Sequence, residues 1–164
     1  LFEGRRKKAL KIVDPETGRR RVLRDTYTGT VEKVNTHLLE VLHGAGYWPV
    51  ISPPGISTES EAINVDGDRA AAQLAGAIEA DTLVILSDVP GLLRDFPDPS
   101  SLVTHLPRAE LESARENLAQ GRMRIKLLGA EEALQAGVKK VVLGTCMGAN
   151  PIRAALAGQG TVIQ

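Results

Sequence analysis

Aromatic residues are scarce in this chain, with two Phe, two Tyr and one Trp among 164 residues. A core with so few rings has to be built from Ala, Val, Leu and Ile, the side chains of helices packed closely on a sheet, and this disfavours an all-β sandwich. Cysteine is scarcer still. The single Cys146 excludes an internal disulfide framework and suits a reducing compartment, so a cytoplasmic protein is expected. No apolar run approaches the roughly 18 to 20 residues that span a bilayer, and no basic-then-apolar leader stands at the start, so no membrane association is expected. His37, His43 and His105 lack metal-ligand spacing and have no cysteine pair beside them, which leaves no protein-built metal site. No serine sits in a nucleophile-elbow pattern, so covalent catalysis has no candidate.

With 43% apolar residues the chain can form one compact domain, or one domain and part of another. Its net charge of zero hides an asymmetry. Residues 1 to 24 carry nine bases (Arg5, Arg6, Lys7, Lys8, Lys11, Arg19, Arg20, Arg21 and Arg24) against the three acids Glu3, Asp14 and Glu16. Such a block could meet nucleic acid, an acidic protein or an anionic substrate, or could be a solvated hairpin. No aromatic residue interleaves these bases after Phe2, so the stacking platforms of a single-strand nucleic-acid binder are missing.

The pattern along the chain predicts alternating strands and helices. Leu10 to Val13 and Arg21 to Leu23 flank Asp14-Pro15-Glu16-Thr17-Gly18, a turn between two short strands. Val31, Val34, Leu38, Leu39 and Leu42 recur at helical spacing, and the glycines of His43-Gly44-Ala45-Gly46 should end that helix. Tyr47 to Ile51 reads as a strand, residues 52 to 63 as a loop long enough to be functional, and Asp68 as the cap of a helix reaching about Ala80. The continuous apolar run Thr82 to Leu86 suits a central parallel strand covered on both faces. Helices at about 108–119 and 122–136, a strand at 140–143, a short helix at 150–157 and a strand at 161–163 complete a layered α/β sheet.

Three places could carry chemistry. Ser87-Asp88-Val89-Pro90-Gly91 follows the carboxyl end of a strand, where ligands of open α/β sheets sit, and its glycine would let backbone approach a ligand closely; an ordinary strand-to-helix turn has the same composition. Asn64, Asp66 and Asp68 stand two residues apart, so extended backbone would place their side chains on one face. A calcium loop does not fit, because Gly67 is fourth instead of sixth and the twelfth position is Ala75. Lys126, in Gly121-Arg122-Met123-Arg124-Ile125-Lys126, could be held by Asp68 through charge-assisted hydrogen bonding and could neutralise a phosphate in transfer; both could equally be a helix cap and a solvated lysine.

Taken in order, Asp14-Pro15-Glu16-Thr17-Gly18, Val31-Glu32-Lys33-Val34-Asn35, Ala45-Gly46-Tyr47-Trp48-Pro49-Val50-Ile51, Asn64-Val65-Asp66-Gly67-Asp68, Leu86-Ser87-Asp88-Val89-Pro90-Gly91-Leu92-Leu93 and the Gly121 to Lys126 segment resemble the amino acid kinase superfamily, most of all acetylglutamate kinases and their lysine-pathway relatives. The resemblance implies an open, mainly parallel α/β sheet sandwiched by helices, with residues 1–68 completing an acceptor-binding lobe and 69–164 forming a nucleotide-binding lobe. It implies an ATP-dependent kinase that converts a side-chain carboxylate to an acyl phosphate, with Mg²⁺ held largely by the ATP phosphates. A carboxylate of pKa about 4 is already ionised at pH 7 and needs no general base.

By position, Lys126 and Asp68 match the family's catalytic residues, Asn64 its acceptor ligand, and Ser87, Asp88, Gly91, Leu92, Ala119 and Met123 its nucleotide-binding segment. Asp66, Gly67 and Arg69 depart from the Asn-x-Asn-Ala-Asp of acetylglutamate kinases and look more like kinases of aminoadipate carried on the acidic protein LysW. Acetylglutamate or LysW-linked glutamate are the alternative acceptors, and a non-catalytic module that binds through the basic hairpin is the alternative of another class. An acidic carrier would give Arg5, Arg6, Lys7, Lys8, Arg19, Arg20 and Arg21 a docking role. Relatives of this kind form homodimers, so a homodimer is expected. The family's amino-terminal lysine and glycine-rich phosphate loops have no counterpart here, and the chain is expected to be a fragment.

Overall fold

The computed structural model describes residues 1–14, 17–23 and 26–164, and the chain divides into two compact units, Leu1–Ala70 and Ala71–Gln164. In the first unit β1 (Phe2–Arg6) lies between β4 (Gly29–Val34), to which it is antiparallel, and β5 (Gly55–Ser57), to which it is parallel; β6 (Ala62–Ile63) closes the sheet beyond β5. The ladder of β1 and β4 is irregular at Glu3/Gly4, where the strands come so close that a Cβ on Gly4 would collide with the Thr30 carbonyl oxygen. The basic hairpin forms as expected. Its strands β2 (Leu10–Val13) and β3 (Arg20–Leu23) pair antiparallel from Leu10↔Leu23 to Val13↔Arg20, and Asp14 Oδ1 accepts the Thr17 N–H at 2.9 Å in the turn. Pro15, Glu16, Arg24 and Asp25 lie outside the described residues.

Four expectations for this unit need correction. Val31 and Val34 belong to β4, not to a helix, because pairing with β1 (Phe2↔Val34, Arg6↔Gly29) and the β-branched Thr30, Val31 and Val34 outweigh their helical spacing. Helix α1 (Thr36–Gly44) starts only after Asn35, whose side-chain oxygen accepts the Leu38 N–H at 3.1 Å, and it does end at the expected glycine. Tyr47 to Ile51 is not a strand: Trp48 is 87% exposed and Val50 fully so, and among the described residues no neighbouring strand pairs with the segment. The presumed loop 52–63 contains β5 and β6. Finally, the cap of α2 (Gly67–Ala77) is Asp66, whose Oδ1 accepts the Arg69 N–H at 3.1 Å, while Asp68 sits in the first turn.

The second unit orders its sheet β7 (Thr82–Ser87), β9 (Lys140–Thr145), β10 (Thr161–Ile163), β8 (His105–Leu106). β7 runs parallel to β9 over the full register Thr82↔Lys140 to Ser87↔Thr145, β10 is antiparallel to β9, and β8 is parallel to β10. The α/β class is therefore as expected, with parallel and antiparallel pairs mixed in each four-stranded sheet. β7 is an edge strand of this sheet and mostly half-buried, not the central, doubly covered strand its apolar run suggests. Around the sheet stand α3 (Leu111–Asn117), α4 (Arg122–Gln135) and α5 (Pro151–Leu156). The core is Ile85, Leu92, Leu111, Leu127, Val141, Leu143 and Ile163, closed by Ala72, Ala75, Ala130 and Ala133 without an aromatic ring. Small side chains let the helices approach closely, so aliphatic residues alone fill the space. Among the described residues no helix is long and apolar enough to cross a membrane.

Candidate functional site

At the carboxyl end of β7 the chain turns through Ser87, Asp88, Val89 and Pro90. The turn is tied to β9, because the Cys146 N–H donates to the Ser87 carbonyl at 2.7 Å, and the Ser87 hydroxyl donates to the Val89 carbonyl at 3.5 Å. Beyond it, the Leu92 N–H donates to Thr161 Oγ1 at 2.8 Å, and Thr161 is fully buried. Gly91 adopts φ +155°, and a Cβ there would stand 2.5 Å from that same Thr161 oxygen. The glycine is thus required first by β10, whereas the sequence suggested only the approach of a ligand.

This turn forms one wall of a cleft of about 440 Å³. Asp88, Val89, Gly91, Leu92, Leu93 and Phe96 face it from one side, and Leu118, Gln120, Gly121, Arg122 and Met123 from the other. Four of the six positions expected to touch a nucleotide, Asp88, Gly91, Leu92 and Met123, come together here. Ser87 and Ala119 are not among its lining residues. Ala119 is 2% exposed, and its carbonyl accepts Arg124 Nε–H at 2.8 Å, while Arg124 Nη2 donates to the Glu116 carbonyl at 3.3 Å. Arg124 therefore staples the end of α3 to α4 and holds the Gln120 to Met123 segment at the cleft.

Phe96 and Leu118 are lining residues that the sequence reading missed, while Gln120 and Arg122 fall within the segment near Ala119 to Met123 that the resemblance implied. Phe96 is brought in by a tight loop in which Asp98 caps the 3-10 turn Pro99–Ser101, accepting from the Ser100 N–H at 2.9 Å and the Ser100 hydroxyl at 2.7 Å. Those two donors hold the Asp98 carboxyl below its ordinary range. The available signal was the cap itself, Asp98-Pro99-Ser100, beside one of the chain's few rings.

The cleft's walls are apolar and its rim polar, the arrangement that buries a flat ring and orients it through a few hydrogen bonds. Helix α4 opens at the rim behind Gly121, which has no side chain to cap it; the Met123 N–H donates to the Gln120 carbonyl at 3.0 Å, and the positive end of the helix dipole together with Arg122 favours an anion there. Lys126 lies one turn further along α4, half-buried and on the face of Arg122 by its i, i+4 spacing. Lys126 belongs to the second unit; Asn64, Asp66 and Asp68 belong to the first or its boundary helix.

In the first unit the polar pair Asn64 and Asp66 alternates with the buried Ile63 and Val65, as period-two backbone requires, whereas Asp68 has left that register for α2. Asn64 is pinned by its main chain: its N–H donates to the Tyr27 carbonyl at 2.7 Å and its carbonyl accepts from Gly29 at 2.8 Å. Its side chain is left to an open groove of about 600 Å³ lined by Tyr27, Pro54, Glu61, Ala62, Ile63 and Asn64.

The basic residues divide. Arg5 pairs with Glu32 at 3.3 Å, Arg21 with Asp14 at 3.6 Å and Arg6 with Glu61 at 3.4 Å, while Lys8, Arg19 and Arg20 are exposed, with Val13 and Val22 exposed beside them on the hairpin. Arg24 lies outside the described residues. Among the described residues no three His, Cys, Asp or Glu side chains gather into a metal-binding group.

The chain belongs to the amino acid kinase family, whose model matches residues 5–145. It is 56% identical over 163 residues to the LysW-aminoadipate kinase of Deinococcus radiodurans, covering 99% of this chain and 55% of that protein. It is 53% identical over 165 residues to the LysW-aminoadipate kinase of Thermus thermophilus, covering 100% of this chain and 61% of that protein. The acetylglutamate kinase of Methanopyrus kandleri is 39% identical over 139 residues, covering 84% of this chain and 54% of that one. Among solved structures, N-acetylglutamate synthase of Neisseria gonorrhoeae superposes with a TM-score of 0.71 at 26% identity over 99% of this chain and 37% of that one. Carbamate kinase of Giardia lamblia superposes with a TM-score of 0.68 at 22% identity over 94% of this chain and 51% of that one, a likeness of fold alone. The chain thus spans a little over half the length of the curated relatives it matches.

Proposed function

We propose that this chain is part of an ATP-dependent kinase that phosphorylates the side-chain carboxylate of 2-aminoadipate carried on the protein LysW. The observation that carries the reading is the cleft at the carboxyl end of β7, where Asp88, Gly91, Leu92 and Met123 meet beside the start of α4. Adenine lies between Leu92, Leu93, Phe96 and Met123, and the phosphates run toward Arg122 and the first turn of α4. Mg²⁺, which screens phosphate charge during transfer, would arrive with ATP and be held largely by phosphate oxygens.

The ionised acceptor carboxylate attacks the γ-phosphorus, the bond to the ADP oxygen breaks, and the new phosphorus–oxygen bond makes an acyl phosphate. No proton has to be removed, which is why a site without His or Ser nucleophile suffices. Lys126 and Asp68 are the catalytic residues of this reading, Lys126 neutralising charge on the phosphoryl group in transfer, and Asn64 binds the acceptor. The exposed bases Lys8, Arg19 and Arg20, with Arg5, Lys7 and Arg21, steer the acidic carrier. The enzyme is cytoplasmic and a homodimer in this reading. Likeness to both LysW-aminoadipate and acetylglutamate kinases makes acetylglutamate and LysW-linked glutamate the competing acceptors.

Hydroxylamine trapping of acyl phosphate by the full-length enzyme, with free, acetylated and LysW-linked aminoadipate and glutamate, tests this. Hydroxamate should form fastest from LysW-linked aminoadipate. Faster reaction with acetylglutamate would move the enzyme to the other branch, and none with any acceptor would refute the kinase.

A further inference from the structure

The groove around Asn64 contains an acid that a pocket for an anionic acceptor should not have. Glu61 lines it, and its position is fixed: its N–H donates to the Ser57 hydroxyl oxygen at 3.1 Å, its carbonyl accepts the Ser57 N–H at 2.8 Å, and Ser57 is 5% exposed. A bare carboxylate held there would repel an incoming one. Arg6, at the end of β1, answers it. Its Nη1 is 3.4 Å from both Glu61 carboxylate oxygens, its Nε–H donates to the Thr26 carbonyl at 2.8 Å, and its guanidinium lies 4.5 Å from the centre of the Tyr27 ring, another wall of the groove. The Arg6 side chain is 27% exposed, in contrast to 70% for its neighbour Arg5. Arg6 is therefore built into the groove wall and not displayed on the basic face.

We propose that Arg6 is the positioning residue that makes this groove accept a carboxylate: it cancels the charge of Glu61 and holds the Tyr27 wall beside Asn64. This rests on the reading of Asn64 as the acceptor side of the site. It also separates Arg6 from the carrier-docking bases, because its guanidinium is already committed to Glu61, Tyr27 and the main chain. Charge masking has a signature that simple packing lacks. Removing the Arg6 charge should be repaired by removing the Glu61 charge too.

The test is titration calorimetry of full-length wild type, Arg6→Gln, Glu61→Gln and the double variant with N-acetyl-2-aminoadipate, a small dianion, alongside KM for carrier-linked acceptor and for ATP. Arg6→Gln should weaken binding of the probe about tenfold and leave KM for ATP unchanged, and the double variant should recover most of the loss. An unchanged Kd in Arg6→Gln, a double variant no better than the single one, or no binding of the probe by the wild type would overturn the proposal. A loss seen only with the carrier-linked acceptor, and erased by salt, would also overturn it by returning Arg6 to the docking surface. Binding follows this pattern whether or not the probe is phosphorylated, so a failed kinase assay and a failed charge-masking test give different results.

Discussion

Lys126 stands one helical turn beyond Arg122, close enough along α4 for both to serve one chain of phosphates. In the full-length enzyme Lys126→Ala should lower kcat about 100- to 1000-fold, the scale of removing one electrostatic stabiliser, with the melting temperature little changed. Near-normal turnover would remove Lys126 from the mechanism. Phe96→Ala should raise KM for ATP about five- to tenfold with kcat retained, since a lost ring contact costs about 1 kcal/mol. The Asp98 cap that places Phe96 has a carboxyl held below its ordinary range by Ser100, so its contribution is complete above about pH 4 and is lost only as pH falls through the depressed value. Leu92 and Met123 came from the resemblance to amino acid kinases, whereas Asp88 and Gly91 were legible in the sequence because a strand end marks them. Phe96 was not, because its place depends on how one loop folds back, and Gly91 was legible as a needed glycine but not as one needed by Thr161.

At the scale of elements, the segments read correctly are those whose local chemistry settles them: the hairpin with its Asp and Gly turn, α4, β9, α5 and β10. Those misread depend on neighbours. Val31 and Val34 have helical spacing, yet β1 recruits them to a strand; Tyr47 to Ile51 has the composition of a strand, yet no described strand pairs with it. Two substitutions test the element joints. Thr161→Val leaves the buried Leu92 N–H without an acceptor and should cost about 1–3 kcal/mol in urea unfolding, loosening the cleft wall with it. Asp66→Ala should cost about 1 kcal/mol through loss of the α2 cap, whereas Asp68→Ala should cost less stability and more turnover. The reverse order of stabilities would return the cap to Asp68.

Over the whole molecule, zero net charge conceals a hairpin that among the described residues pairs only with itself, with Arg19, Arg20 and the preceding Lys8 exposed and with exposed Val13 and Val22 in its strands. A two-stranded ribbon is marginally stable alone, and the exposed combination of charge and apolar surface suits an acidic partner that covers it. Raising salt from about 0.05 to 0.5 M should therefore raise KM for carrier-linked acceptor while leaving KM for ATP nearly constant. An unchanged KM for the carrier would leave the hairpin without this role.

The central claim, that a carboxylate oxygen itself attacks phosphorus, has a direct test. Full-length enzyme is given ATP, hydroxylamine and LysW-linked aminoadipate whose side-chain carboxyl carries oxygen-18 at both positions. Carboxylate attack places labelled oxygen in the bridge of the acyl phosphate, and hydroxylamine, attacking carbon, releases inorganic phosphate with one labelled oxygen. Phosphate released without label, as from hydrolysis of ATP by water, would contradict the account.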